Sequence, residues 1–150
     1  MKETDIIAVA CDHGGFELKK EILAHLDERK IKFVDFGTYT PDSCDYPDYA
    51  EKACDAVVKG ECRFAILICG TGVGISMAAN KIKGIRAACC SDTFSARFTR
   101  AHNDANALCM GGRVVGAGVA IDMVDLFLDT EFEGGRHQRR VDKVMALENK

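Results

Sequence analysis

The sequence predicts an α/β fold, a Rossmann-like three-layer α/β/α sandwich with a five-stranded parallel sheet. Short apolar runs alternate with amphipathic stretches of helix length along the whole chain. The run at 64–69 is apolar almost throughout, which is typical of a parallel strand covered on both faces. A chain of 150 residues, 47% of them hydrophobic, with no linker or repeat, predicts one domain over 1–150.

The predicted elements alternate in type. The helix that follows the first strand, for example, places Leu18, Ile22 and Leu26 on one face. In chain order we expect a strand at 6–11, a helix over 15–29, a strand at 32–36, a helix over 49–59, a strand at 64–69, a helix over 75–82, a strand at 85–90, a helix over 93–101, a strand at 107–110 and helices over 119–128 and 139–147.

Composition excludes several classes of protein. A net charge of −3 without a broad basic face argues against nucleic-acid and membrane partners. The amino terminus does not resemble a signal peptide, and no apolar run is long enough to span a bilayer. The eight cysteines include no C-x-x-C pair, so we expect free thiols, no metal and a cytoplasmic location.

Polar residues follow several predicted strands at the point where each strand ends. Cys11-Asp12-His13 follows the first strand, Cys69-Gly70-Thr71 the third and Ser91-Asp92 the fourth. The carboxyl ends of parallel strands share one edge of a sheet, where ligands bind. These segments are therefore expected to form one rim. His13 is suited there to donate to a phosphate or to move a proton.

A glycine-rich turn, Cys69-Gly70-Thr71-Gly72-Val73-Gly74, joins the third strand to a helix. Such a turn presents backbone N–H groups to an anion and favours the thiolate of a neighbouring cysteine. Ile75 stands where a dinucleotide fingerprint and a P-loop need glycine, and where a cysteine phosphatase needs arginine. An ordinary turn with Cys69 as filler is an equally good interpretation of this loop alone.

The remaining candidates are each ambiguous on their own. Asp12 is either a ligand or a helix cap, and His102 is either an acid–base group or a charge at a helix carboxyl end. Arg136 and Arg140 share one helix face and form either an oxyanion clamp or a solvated basic surface. Arg113 is ambiguous in the same way.

Together, ordered blocks along nearly the whole chain resemble the type B ribose-5-phosphate isomerases, a family that includes the galactose-6-phosphate isomerase subunits. The blocks that carry this resemblance are Cys11-Asp12-His13, Asp45-Tyr46-Pro47, Cys69 to Ser76, Ala79-Asn80-Lys81, Gly84 to Ala87, His102-Asn103, Gly112 to Val115 and Gly134 to Gln138.

The resemblance implies an aldose–ketose isomerase that interconverts ribose 5-phosphate and ribulose 5-phosphate without a metal or other cofactor. Family members take their base either from a cysteine at the end of the third strand or from a glutamate in the glycine loop. Cys69 is present here and Ile75 replaces the glutamate, so this chain resembles the cysteine type. A homodimer or a dimer of dimers with shared active sites is implied, with the last helix packing on the partner.

The resemblance also implies roles for individual residues. Cys69 would be the base, His102 would open the furanose ring, and Thr71 with the backbone of 70–74 would stabilise the enediolate. Asp12 and Tyr46 would line the sugar. The phosphate would be held by His13, Arg113, Arg136 and Arg140, and His102, Asn103 and some arginines would come from the partner. The full set of expected substrate contacts is Cys11, Asp12, His13, Tyr46, Gly70, Thr71, Gly72, Val73, Gly74, Asn103, Arg113, Arg136 and Arg140.

Two alternatives remain open at this point. The first is an isomerase of a six-carbon sugar phosphate, allose or galactose 6-phosphate. The second is a phospholigand-binding module without catalysis, because a fold alone does not decide function.

Overall fold

A computed structural model describes residues 2 and 4–150. Five strands form one sheet in which every pairing is parallel, and the order across the sheet is β2-β1-β3-β5-β4. The strands are β1 (Ile6–Cys11), β2 (Lys32–Asp35), β3 (Phe64–Cys69), β4 (Ala87–Cys89) and β5 (Ala107–Gly111). The predicted five-stranded parallel sheet is confirmed.

Helices cover both faces of the sheet and complete the predicted three layers. They are α1 (Phe16–Glu28), α2 (Tyr46–Val58), α3 (Val73–Ala79), α4 (Thr93–Asn103), α5 (Ala117–Asp129) and α6 (Arg136–Ala146). Helices α1, α4 and α5 pack on one face, and α2 and α3 pack on the other. Helix α6 lies against α4.

The apolar core consists of two layers, one on each face of the sheet. Ile66 and Ile68 of β3 point into the first layer, where Ile22 and Phe127 meet them. Leu67 and Cys69 point into the second layer. All six residues of β3 are buried, as its continuous apolar run predicts.

The strand order places the candidate residues at one position in the sheet. From β1 the chain moves outward to β2 on one side, and the next strand, β3, lies on the other side. Ligands of such sheets bind where the order reverses, beyond the carboxyl ends of the strands. Here that position lies between β1 and β3, where Cys11 pairs with Ile68 and Cys69 pairs with Gly111 of β5.

Most element boundaries differ from the sequence expectation by one to three residues, and three of these differences have a local cause. Helix α2 begins at Tyr46, before the expected residue 49. Pro47 fits the first turn, because the backbone N–H groups there have no partner within the helix and proline lacks one. Strand β4 is shorter than expected, since the amide of Arg86 bonds the side chain of Asn106. Helix α6 begins at Arg136, directly after the Gly134-Gly135 turn.

No helix in the described part of the chain has the length and apolar character needed to cross a membrane.

Candidate active site

Glycines allow the three loops at the carboxyl edge to touch. A Cβ on Gly14 would lie 2.8 Å from the amide nitrogen of Gly70, and one on Gly112 would lie 2.5 Å from the carbonyl oxygen of Gly14. Any side chain at these positions would push the loops apart. The ends of β1, β3 and β5 are thereby held in one rim. The strand pattern predicts such a contact for the ends of β1 and β3. The third predicted segment, Ser91-Asp92, takes no part in these contacts, and the Asp92 side chain caps α4.

Cys69 lies at the centre of this rim. Its Sγ accepts a hydrogen bond from the backbone N–H of Gly72 at 3.1 Å, and the side chain is 4% exposed. An N–H directed at sulfur stabilises a thiolate more than a thiol, because the thiolate carries the full negative charge. The contact needs the left-handed backbone of Gly72, whose φ is +81°. Cys69 is thus part of the turn itself and not only filler behind it.

Several other cysteines lie in the core, either in the sheet or in elements that pack against it. Burial raises the pKa of Cys11 to about 12, and it raises the pKa of Cys54 to the same value. The side chain of Cys11 is wholly buried, and its backbone N–H and C=O already bond Gly37 and Thr38. The side chain of Cys11 thus packs beneath the rim and offers no surface for the expected contact with substrate, whereas Asp12 and His13 reach the rim.

Asp12 and His13 are both held by backbone amides. Asp12 is 6% exposed, and its Oδ1 accepts from the amides of Gly14 and Gly15 at 2.8 and 3.2 Å. Both of these bonds use Oδ1, so Oδ2 remains available. Asp12 can therefore cap the helix turn with one oxygen and bind a ligand with the other. The amide of Cys44 donates to Nδ1 of His13 at 3.2 Å. Neutral His13 therefore carries its proton on Nε2, the nitrogen left to donate to a ligand.

Tyr46 and Arg113 border the glycine turn. A Cβ on Gly74 would lie 2.7 Å from Cζ of Tyr46, and a Cβ on Gly70 would lie 3.4 Å from Nη1 of Arg113. Both side chains thus lie directly over the turn. Within the described residues Arg113 forms no ion pair, so its charge is available to an anion.

His102 and Asn103 belong to a different part of the molecule. They form the last turn of α4, a helix that leaves the carboxyl edge after β4 and returns the chain to the start of β5. Because all strands are parallel, the start of β5 lies at the amino edge of the sheet. Eleven residues of helix cover roughly 16 Å along the axis. Within one chain, His102 is therefore remote from Cys69.

The two arginines of α6 lie with this second group. Arg136 and Arg140 are exposed and four residues apart on the helix. Arg140 and Asn103 line a groove of about 620 Å³ that does not include Cys69 or Thr71. The structure thus divides the expected site into two clusters. The rim cluster consists of Asp12, His13, Tyr46, Cys69 to Gly74 and Arg113; the helix-end cluster consists of His102, Asn103, Arg136 and Arg140.

Two further residues, Glu133 and His137, complete the helix-end cluster, and the sequence analysis did not single them out. The rings of His102 and His137 stack, with centroids 4.1 Å apart and planes inclined by 6°. Oε2 of Glu133 lies 3.6 Å from Nε2 of His102 and 3.5 Å from Nε2 of His137. Parallel rings do not direct their lone pairs to one point, so the trio fits a shared carboxylate better than a metal ion. His137 stands inside the basic run from Arg136 to Arg140, a pattern that indicates anion binding and not a pair of stacked imidazoles.

Comparison with known proteins identifies the family to which this chain belongs. A family described as Ribose/Galactose Isomerase matches residues 7–144. This chain belongs to the ribose/galactose isomerase family. Within the family it is 53% identical to the ribose-5-phosphate isomerase B of Escherichia coli over 144 residues, which cover 96% of this chain and 97% of the relative.

Solved structures of the ribose/galactose isomerase family have the same fold. The ribose-5-phosphate isomerase B of Clostridium thermocellum superimposes with a TM-score of 0.95 at 51% identity, over 96% of this chain and 97% of that one. The enzyme of Mycoplasma genitalium, solved with bound ribulose 5-phosphate, gives a TM-score of 0.94 at 45% identity, over 98% of both chains.

Proposed function

We propose that this enzyme interconverts ribose 5-phosphate and ribulose 5-phosphate, with Cys69 as the base. The observation that carries the assignment is the contact between the Gly72 amide and Sγ of Cys69 at the centre of the rim. The relatives named ribose-5-phosphate isomerase B support the same substrate pair.

The reaction moves a proton from C2 of the open aldose to C1. The Cys69 thiolate removes the C2 proton, and the electron pair of that bond forms a C1=C2 enediolate with negative charge on O1. The proton returns from Cys69 to C1 and the O2 proton passes to O1, so that O1 becomes the C1 hydroxyl, O2 becomes the C2 carbonyl of the ketose, and protons balance. Donors facing the developing charge lower the barrier of such a step. We assign this role to Thr71 and to amides of the turn.

The amides of the turn divide between two tasks. The amide of Gly72 already bonds Sγ of Cys69, and the amide of Val73 bonds Oγ1 of Thr71 at 3.3 Å. We therefore assign Gly72 to the thiolate and assign Gly70, Thr71 and Gly74 to the substrate oxygens. The sugar hydroxyls lie between Asp12 and Tyr46 in this proposal, and the phosphate reaches His13 and Arg113.

We further propose that two subunits share each active site. His102 and Cys69 lie at opposite edges of the sheet in one chain, so a site that needs both requires a second copy. The partner then supplies His102 to open the furanose ring, Asn103 to contact the sugar, and Arg136 with Arg140 to hold the phosphate. Exposed apolar side chains near the rim, Met77 at 63% and Phe94 at 71%, are suited to be covered in such a dimer.

All eight cysteines are free thiols in this structure, and six of them are wholly or almost wholly buried in or beside the sheet. Abundant unpaired thiols suit a reducing compartment, which supports the proposed cytoplasmic location.

Conversion in D₂O tests the proposed reaction. Purified protein and ribose 5-phosphate should give ribulose 5-phosphate with deuterium on C1, because the transferred proton exchanges on the base. Allose 6-phosphate and galactose 6-phosphate, assayed in parallel, report whether six-carbon sugars are better substrates. Binding of ribose 5-phosphate without exchange at carbon would contradict the isomerase assignment and favour a phospholigand-binding module.

A further inference from the structure

The trio of His102, Glu133 and His137 is built into the fold. The backbone N–H of Glu133 donates to the carbonyl of Ala101 at 3.0 Å, which fixes the segment before α6 against the last turn of α4. The Gly134-Gly135 turn, with both residues at positive φ, then directs the chain into α6 and places His137 on the His102 ring. Phe98, one turn earlier on α4, covers His102 from another side at 4.8 Å between ring centroids.

We propose that Glu133 and His137 are positioning residues for His102: His137 stays neutral and fixes the plane of the ring, while the Glu133 carboxylate stabilises the imidazolium form of His102. The inference rests on the proposed role of His102 in opening the furanose ring.

The ends of the two helices determine which ring takes the proton. His102 lies in the last turn of α4, where the helix dipole favours a cation. His137 lies in the first turn of α6, where the dipole disfavours one. Two stacked imidazoles cannot both be charged without repulsion. The dipoles therefore direct the single proton to His102.

The charges around the stack act in the same direction. Desolvation, reinforced by His102 and Arg136, lowers the pKa of His137, and the opposing influence of Glu133 is smaller. Arg140 also faces the pair from α6. The carboxylates Asp125 and Asp129 of α5 are paired with Arg29 on the other side of that helix. Glu133 is thus the anion that faces the stack.

Ring opening uses the proton that this arrangement holds. The His102 imidazolium gives its proton to the ring oxygen as the bond from C1 to that oxygen breaks. The C1 hydroxyl becomes the aldehyde and returns one proton to the imidazole, so protons balance. The Glu133 carboxylate favours the imidazolium before the step, and the His137 ring prevents the imidazole from turning away.

Glu133→Gln is the decisive variant, because it keeps an acceptor in nearly the same shape and removes the charge. We expect kcat on cyclic ribose 5-phosphate to fall by about tenfold with little change in KM. The basic limb of the pH profile should move to lower pH, since His102 without the carboxylate loses its proton more readily. Glu131→Gln, an equally exposed carboxylate two residues away, is the matched control and should leave both quantities unchanged.

Three further measurements make the result unambiguous. An aldose phosphate too short to close a furanose ring should be converted equally well by the wild type and Glu133→Gln. His137→Phe, which keeps a ring in the stack, should retain more activity than His137→Ala. In the wild type, nitrogen-15 NMR should show His102 taking up its proton before His137 as the pH falls, a measurement that needs no variant.

The possible failures are distinct. An unchanged pH profile in Glu133→Gln, or equal loss on the short substrate, overturns the positioning role of Glu133. His137 protonated first in the NMR titration overturns the order of proton uptake. If instead His102→Asn itself converts ribose 5-phosphate normally, the proposed ring-opening role fails and the inference fails with it.

Discussion

The rim cluster and the helix-end cluster are built by different means. The rim is held by backbone packing, where the loops at Gly14, Gly70 and Gly112 approach so closely that no side chain fits between them. The helix-end cluster is held by side chains, because one partly exposed ring, one buried ring and a carboxylate meet across the ends of α4 and α6. The first arrangement suits a base that must not move, and the second suits a group that exchanges protons with a ring oxygen.

The difference predicts how each cluster responds to change. Losing one side chain in the rim should remove a chemical step and leave the architecture intact, whereas changing a rim glycine should disturb the architecture. In the helix-end cluster, single side chains should have graded effects that depend on the form of the substrate.

The largest expected effect is that of Cys69→Ala. Loss of the base should lower kcat by about 10³-fold or more, while sugar-phosphate binding persists, because the phosphate contacts come from other residues. Calorimetric binding beside a turnover assay separates the two quantities. Cys89→Ala is the matched control, since this exposed thiol also lies beside the turn, with Sγ 3.9 Å from the Thr71 carbonyl. Equal losses in both variants would contradict the assignment of the base.

Next in size is His102→Asn. We expect turnover of cyclic ribose 5-phosphate to fall by about 10²-fold, since ring opening loses its acid–base group. An aldose phosphate too short to cyclise should be converted at close to the normal rate. Parallel steady-state assays on the two substrates measure this ratio, and a ratio near one would show that His102 does not act on the ring.

Gly72→Ala should destabilise the rim itself. Alanine at φ +81° is strained, and its Cβ would lie 2.7 Å from the carbonyl carbon of Met110. The free energy of unfolding should fall by about 1–3 kcal/mol, measured in urea. Gly118→Ala in α5, where a Cβ meets open space, should be neutral or slightly stabilising. Similar losses in both variants would show that the approach of Gly72 to β5 is unimportant.

The smallest effect concerns Asp92, which begins the helix that connects the two edges of the sheet. Its side chain accepts from the amide of Ser95 at 2.7 Å, and this backbone hydrogen bond lowers the pKa of Asp92 below its ordinary value of 3.8. Because the folded pKa is lowered, the stabilisation is complete above the ordinary value and is lost as the pH falls through the folded one. Asp92→Ala should therefore lower Tm at pH 7 but much less at pH 2. An equal shift at both pH values would exclude the cap.

The rim was predictable from sequence because its geometry follows from strand order. Asp12 and His13 follow β1 directly and Cys69 is the last residue of β3, and parallel strands bring their carboxyl ends together whatever the details of packing. The glycine pattern of the turn likewise reflects a local backbone need at Gly72. The burial of Cys11 was not predictable, because the last residue of a strand points to one face of the sheet and the pattern does not show where the face ends and the rim begins.

The helix-end cluster was less predictable, because side chains from distant segments form it. Nothing in the sequence around Glu133 indicates that its amide bonds Ala101 or that its carboxylate meets two imidazoles. His102 was ambiguous for the same reason, since a histidine at a helix carboxyl end is stabilised there without any function. Only the resemblance to a family distinguished it, and only the tertiary structure shows its neighbours.

Mixing two inactive variants tests the shared site most directly. Cys69→Ala and His102→Asn should each be inactive on ribose 5-phosphate, but dissociated and reassociated together they form mixed dimers in which one site keeps both residues. Random pairing should restore about one quarter of the wild-type activity, because half the dimers are mixed and each has one intact site. If the reassociated mixture stays as inactive as its components, Cys69 and His102 do not act in one site built across two subunits.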